Sequence, residues 1–189
     1  MSRKPPQRRF FVAIDAPESV RTAVAALPKR FPEMPGLSWT PLHQLHLTLR
    51  FLGEIDEFTA AAVRGGLAEV EFAPFRLVTA EVGFFPSERH PNIFWLGLNH
   101  DDRLPAFKGL VDQVLAARGF PRESRRFTPH ITLARVKGPL TDDQTVRLGD
   151  AHQFLSGHGF TVDRFLLYAS ELTPSGAIHT LEETYPAKG

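Results

Sequence analysis

His46-Leu47-Thr48-Leu49 and His130-Ile131-Thr132-Leu133, 84 positions apart, are two copies of one motif, His-x-Thr followed by leucine. One copy in a chain with 8 histidines among 189 residues says little. A second copy, again inside an apolar strand-forming run, says far more. In a β-strand, side chains i and i+2 share a face while i+1 and i+3 point the other way. His46 and Thr48 are therefore expected on one face, above Leu47 and Leu49 in the core. His130 and Thr132 are expected likewise above Ile131 and Leu133. Two such strands side by side would set two imidazoles and two hydroxyls around one concavity, and the repeat suggests two related halves.

Outward from the motifs, the pattern alternates strands and helices. Arg9 to Asp15 reads as a buried strand. Pro17 to Phe31 reads as a helix with Val20, Val24 and Leu27 on one face, Asp15 as its cap and Pro17 in its first turn. Pro32, Pro35 and Gly36 end it, and a short extended piece follows around Trp39. Leu45 to Leu52 is a strand closed by Gly53, and Phe58 to Val70 a helix weakened by Gly65-Gly66. Phe75–Phe84 and Ile93–Leu98 are strands joined by a turn-rich segment. Leu104 to Ala117 is an amphipathic helix stopped by Gly119. Phe127 to Val136 is extended, a polar helix or loop starts at Thr141, and strands are expected over Phe160–Ala169 and Ile178–Thr184. The class is α+β, and the expected organisation is a single domain over residues 1–189.

Composition narrows the function. Lys+Arg number 22 against 21 Asp+Glu, so a broad basic coat for duplex DNA is not expected and nucleic-acid contact should be local. The chain has no cysteine, which removes disulfides, thiolate zinc sites and cysteine nucleophiles and fits a reducing cytoplasm. No apolar run approaches a membrane span or a signal peptide. The basic tip with Arg3, Lys4, Arg8 and Arg9 reads as a disordered lead-in rather than an RNA-binding arm.

Two histidines and two threonines facing one cleft suit a cyclic phosphodiester. An imidazole titrates near neutrality, so one ring can take a proton from water while the other gives one to the departing oxygen. Threonine hydroxyls can donate to the non-bridging phosphate oxygens as their charge grows. Arg135 is the nearest candidate cation, although at three positions from Thr132 it fails simple parity and needs a bulge or the strand's end to turn it inward. Arg50 shares parity with His46 and Thr48, which leaves it open between the cleft and a structural ion pair.

These residues resemble the 2H phosphoesterase superfamily, and within it the RNA 2′,3′-cyclic phosphodiesterases also called 2′-5′ RNA ligases. The resemblance runs through Arg9-Phe10-Phe11-Val12-Ala13-Ile14-Asp15, His46 to Gly53, Phe127 to Arg135, and Leu167-Tyr168-Ala169-Ser170-Glu171-Leu172 with Pro174 and Gly176. It implies a bilobal fold, two pseudo-symmetric lobes whose antiparallel sheets line a central cleft, with helices outside. It implies His46 as proton donor, His130 as proton acceptor, and Thr48, Thr132 and Arg135 on the phosphate. It implies opening of an RNA 2′,3′-cyclic phosphate to a 2′-phosphate with no metal and no cofactor, and reversible 2′-5′ ligation as a further activity. The partners implied are RNA with such ends, tRNA fragments or small cyclic nucleotides, met by a monomer in the cytoplasm with no membrane. At His179 the sequence departs from the family, which usually has tyrosine there.

Two rival readings are a metal hydrolase with His46 and His130 as ligands, which lacks carboxylates within either motif, and an RNA-end-binding module without turnover. The remaining histidines, 43, 90, 100, 152, 158 and 179, read as surface or loop residues. Phe10, Trp39 and Phe84 read as core rather than as base-stacking platforms.

Overall fold

The structure, a computed structural model, describes residues 6–32, 34, 36–99, 101–174 and 176–188. The elements run β1 (Gln7–Asp15), α1 (Glu18–Ala25), α2 (Leu27–Arg30), β2 (Leu37–Trp39), a single 3-10 turn (Leu42–Gln44), β3 (His46–Asp56) and α3 (Glu57–Leu67). They continue with β4 (Phe75–Pro86), β5 (Pro91–Asn99), α4 (Arg103–Ala116), β6 (His130–Val136), α5 (Asp142–Gly149), α6 (His152–Leu155), β7 (Gly159–Val162), β8 (Arg164–Thr173) and β9 (Gly176–Pro186). Arg3, Lys4, Pro35 and His100 lie outside the described residues.

Every strand pairing is antiparallel, in the order β7-β4-β5-β6-β3-β1-β8-β9, with β2 also on β6. The two motif strands adjoin at the middle of this order. They divide the sheet into two halves of like plan, β3-β1-β8-β9 and β6-β5-β4-β7. This is the expected bilobal, pseudo-symmetric architecture.

One face of each half is apolar and sits under the helices. Leu47, Leu49, Ile131 and Leu133 are each no more than 2% exposed, as are Leu104, Phe107, Val111 and Leu115 on α4. Burying one such side chain is worth roughly 1.5–3 kcal/mol. A one-residue slip of either motif strand would turn its leucines to solvent and its histidine into the core, so core burial sets the register of the polar face. The helix ends are closed locally. Asp56 caps α3 by accepting from the Thr59 amide at 2.8 Å, and Thr141 with Gln144 forms a reciprocal capping box on α5. Gly119, at φ 90°, ends α4 with bonds from Phe120 N to Leu115 O and from Gly119 N to Ala116 O.

Four expectations change. The helix over 17–31 is two helices, α1 and α2. Pro28 has no N–H to give to a helix interior and is tolerated only in a first turn, so the helix restarts around it. Asp15 does not cap α1, whose N-cap is Pro17; its carboxylate instead accepts the Tyr168 hydroxyl at 2.9 and 3.1 Å. The single strand over 160–169 is β7 and β8, which pair in different halves, so the chain crosses between halves at Asp163. Arg8 and Arg9 belong to β1, paired with Glu182 and Glu54, rather than to a disordered tip. Among the described residues no helix is long and apolar enough to cross a membrane.

Arg50 is where the fold ties its halves together. It is 5% exposed and binds the Pro121 carbonyl, Asp112 at 3.4 Å and Glu123 at 3.7 Å, while Lys108 holds Asp112 at 2.7 Å. It thereby anchors the segment that leads from α4 to β6. Removing one partner of a buried pair costs about 3–5 kcal/mol, and Lys108 still shields Asp112. Arg50→Ala is expected to lower unfolding free energy by about 3 kcal/mol, read from the denaturant midpoint; a change within about 0.5 kcal/mol would contradict the anchoring role.

Candidate active site

The two motif strands pair directly, Leu47 opposite Ile131. Continuing that antiparallel register would set His46 across from Thr132 and Thr48 across from His130. The four polar residues thus share the face away from the core. Each is part-exposed, between leucine and isoleucine neighbours that are buried.

Both histidines are held in the same way. His46 Nδ1 lies 2.6 Å from the Gln44 carbonyl and His130 Nδ1 lies 2.8 Å from the Thr128 carbonyl. A carbonyl oxygen only accepts, so Nδ1 carries the proton in each ring and Nε2 is the nitrogen left for a ligand. Aromatic rings fix the imidazole planes. Phe11 stacks on His46 at 4.9 Å and on Tyr168 at 5.3 Å, while Phe85 meets His130 edge-on at 4.9 Å.

The third member of each motif's outward row comes from a bulge. Ala13 pairs Thr48 and Val12 pairs Arg50, so Leu49 is an extra residue in β3. Trp95 pairs Thr132 and Phe94 pairs Ala134, so Leu133 is an extra residue in β6. Each bulge reverses parity beyond it. In β6 this sends Ala134 into the core and turns Arg135 out to the cleft. In β3 the same device buries Arg50 and turns out Phe51, which is 65% exposed. Arg135 therefore lines the same cavity as His46, Thr48 and Thr132, and Arg50 is the structural ion pair.

A cavity of about 1040 Å³ is lined by His46, Thr48, Thr132 and Arg135 together. His130 is not on that lining; it sits beside Thr48 on the same face, close enough that its charge lowers the His46 pKa. Several lining residues were not singled out as functional from sequence. His179 is part-buried on β9, 4.9 Å edge-on to Phe11 and 5.6 Å from His46, rather than on the surface. Exposed His43 also borders the cavity, and Trp39 packs against the core while lining it. Phe10 and Phe84 are core, as expected. The signal for His179 in the sequence is that it stands where the resembled family usually has tyrosine in the closing strand. Among the described residues no group of three or more His, Cys, Asp or Glu is placed to hold a metal ion.

Burial dominates the electrostatics of His46 and lowers its pKa from 6.5 to about 4. The Gln44 carbonyl opposes the shift, and the nearby His179 and His130 add to it. Burial likewise lowers His179, with His43 as a second cause. On the next strand Asp15 lies opposite His46; burial raises its pKa against the hydrogen bond from Tyr168 and the charges of Arg21 and Arg164.

The family description "LigT like Phosphoesterase" matches the chain twice, over residues 14–95 and 96–179, with one His-x-Thr motif in each. The chain is 33% identical over 174 residues to an RNA 2′,3′-cyclic phosphodiesterase of Archaeoglobus fulgidus, covering 90% of this chain and 96% of that protein. It is 34% identical over 191 residues to one from Thermus thermophilus, covering 96% and 91%. In fold it is similar to the crystal structure of E. coli LigT complexed with 3′-AMP, with a TM-score of 0.77, 24% identity and coverage of 97% and 99%.

The depressed His46 pKa has a stability consequence. Between pH 6.5 and about 4 the unfolded chain binds a proton at residue 46 that the folded protein does not, so stability falls as pH drops through that window. The loss is on the order of 3 kcal/mol. In denaturant unfolding at pH 7 and pH 4.5, His46→Asn is expected to lose less stability on acidification than wild type; equal losses would contradict the burial of a neutral imidazole.

Proposed function

The chain belongs to the LigT-like phosphoesterase family, and on that premise we propose that it hydrolyses RNA 2′,3′-cyclic phosphate ends to 2′-phosphomonoesters by two-histidine acid–base catalysis. The observation that carries the reading is the direct pairing of the two motif strands at Leu47 and Ile131, with both histidine Nδ1 atoms held by main-chain carbonyls.

In this mechanism His130 Nε2 takes a proton from water, and the resulting hydroxide forms the new P–O bond. The bond to the ribose 3′ oxygen breaks, and His46 Nε2 gives that oxygen its proton. The products are a 2′-phosphate and a free 3′ hydroxyl, and the enzyme regains its starting protonation by proton exchange with solvent. Thr48 and Thr132 donate hydrogen bonds to the non-bridging oxygens, whose charge grows in the pentacovalent state. Arg135, at the far end of the β6 row, adds a cation that can hold two phosphate oxygens at once. A ribose 5′ hydroxyl attacking in place of water makes a 2′-5′ linkage with the same groups, and the reverse of that step cleaves the linkage back to the cyclic phosphate.

The donor role sets a demand on His46. In the free protein its ring titrates at about 4 and is neutral at pH 7. A phosphodiester anion beside the ring favours the imidazolium, so binding substrate is what arms the donor. The same anion acts on both rings, which titrate as a coupled pair.

His46→Ala and His130→Ala are each expected to lower kcat about 10²–10⁴-fold on a 2′,3′-cyclic nucleotide, with turnover by the unmutated protein unchanged in EDTA. Normal turnover by either variant would sink the mechanism; loss of turnover in EDTA would favour a metal hydrolase, and binding without conversion a binding module. The acid limb of the kcat profile should lie at higher pH than that of kcat/KM, because the bound anion raises the pair's pKa values. Coincident limbs would show that substrate does not arm His46.

A further inference from the structure

His130 lies off the cavity that His46, Thr48, Thr132 and Arg135 line. Its own neighbours belong to β5 and β4, and two of them are aromatic. Across the β5–β6 pairing Trp95 lies opposite Thr132 and Gly97 opposite His130, so Trp95 shares the cleft face with both motif residues. On its other side Trp95 lies opposite Gly83 of β4. A Cβ at Gly83 would stand 2.8 Å from Trp95 Cη2 and 2.9 Å from Cε2, and a Cβ at Gly97 would stand 3.2 Å from Cζ3. The indole thus fills the space above both glycines and lies along the sheet.

The ring is part-exposed, stacks on Phe85 at 5.0 Å and stands 6.3 Å from His130. Its Nε1 is buried without a hydrogen-bond partner among the described residues. An orphaned N–H costs stability that a phenylalanine would avoid, so packing alone does not account for a tryptophan here. Glu81 completes the group. Its Oε1 would meet a Cβ at Gly97 at 3.3 Å, and it is exposed, with no cation on it among the described residues. A flat aromatic face with a carboxylate beside it suits a nucleoside, base on the ring and ribose hydroxyl on the acceptor. It does not suit a phosphate, which the carboxylate repels.

In phosphoryl transfer the attacking and leaving oxygens lie roughly in line on opposite sides of phosphorus. With His46 on the leaving 3′ oxygen, the attacking group comes from the side of His130. Water needs no platform there. We propose that Trp95, with Glu81 beside it, binds a second ribonucleoside whose 5′ hydroxyl attacks the cyclic phosphate in place of water. The inference rests on the hydrolase reading above and assigns the alcohol side of that same site. His130 takes the proton of the 5′ hydroxyl and the 5′ oxygen bonds to phosphorus. The bond to the 3′ oxygen breaks, and His46 protonates that oxygen. The product is a 2′-5′ phosphodiester that retains every atom of both reactants. The indole stacks the incoming base whatever its identity, and Glu81 accepts from the 2′ hydroxyl.

The test incubates the protein with cytidine 2′,3′-cyclic phosphate and excess adenosine, and measures the ratio of 2′-5′-linked adduct to cytidine 2′-phosphate. That ratio cancels changes in the histidines that both products share. Wild type is expected to form adduct more readily with adenosine than with 2′-deoxyadenosine or methyl riboside, which lack the 2′ hydroxyl and the base respectively. Trp95→Ala should lower the adenosine ratio about 5- to 150-fold, the range of one base–aromatic stack, and Trp95→Phe should keep most of it. Glu81→Ala, at an exposed position, should lower the preference for adenosine over 2′-deoxyadenosine about 2- to 10-fold. Hydrolysis without adduct in wild type overturns the subsite and leaves the hydrolase reading standing. So does a ratio unmoved in Trp95→Ala, or a preference unmoved in Glu81→Ala where Trp95→Ala does not fold. No turnover of the cyclic phosphate by wild type overturns both.

Discussion

The pairing of β3 with β6, Leu47 opposite Ile131, is the contact on which the site depends. It brings together two strands that lie 84 positions apart in the chain and makes their histidines and threonines neighbours. Four buried aliphatic side chains hold the register from behind, and a slip of one residue would reverse both faces. The face that carries the two motifs is thus the exposed side of a core-packing solution. Its precision is inherited from the leucines and isoleucine beneath it.

The second constraint is the pair of carbonyl-to-Nδ1 contacts from residues two positions before each histidine. They assign the tautomer, so that two chemically identical rings both present Nε2. The environments then separate the rings. His46 is buried beside Phe11 and His179 and holds its proton poorly in the free protein, whereas His130 stands edge-on to Phe85 at the margin of the cavity. Burial thus favours the neutral form of His46 in the free protein, opposite to the proposed donor role, which is why that proposal requires the substrate's anion to protonate the ring.

Much of this was legible in the sequence, because strand parity is a local rule. His46, Thr48, His130 and Thr132 fall on the cleft face for the same reason that Leu47 and Ile131 fall on the core face. Parity failed at Arg50 and Arg135, in opposite directions, because each follows a bulge. A bulge is a property of the partner strand's spacing, set by Val12 and Ala13 for one motif and Phe94 and Trp95 for the other. No pattern within the motif itself encodes it. His179, noted only as a departure from the family pattern, read as a surface residue for a similar reason: its place in the cleft comes from β9 lying beside β8, a pairing across the β8–β9 hairpin that brings it edge-on to Phe11. The break at Asp163 was hidden because no glycine or proline separates β7 from β8 between Phe160 and Ala169.

The most direct test is the identity of the product from an oligonucleotide ending in a 2′,3′-cyclic phosphate, read by phosphorus NMR after complete turnover. The account predicts a 2′-phosphate alone, since a single donor, His46, sits on one side of the phosphate and protonates one departing oxygen. A 3′-phosphate, or a mixture of the two, would contradict the assignment of donor and acceptor on which the account rests.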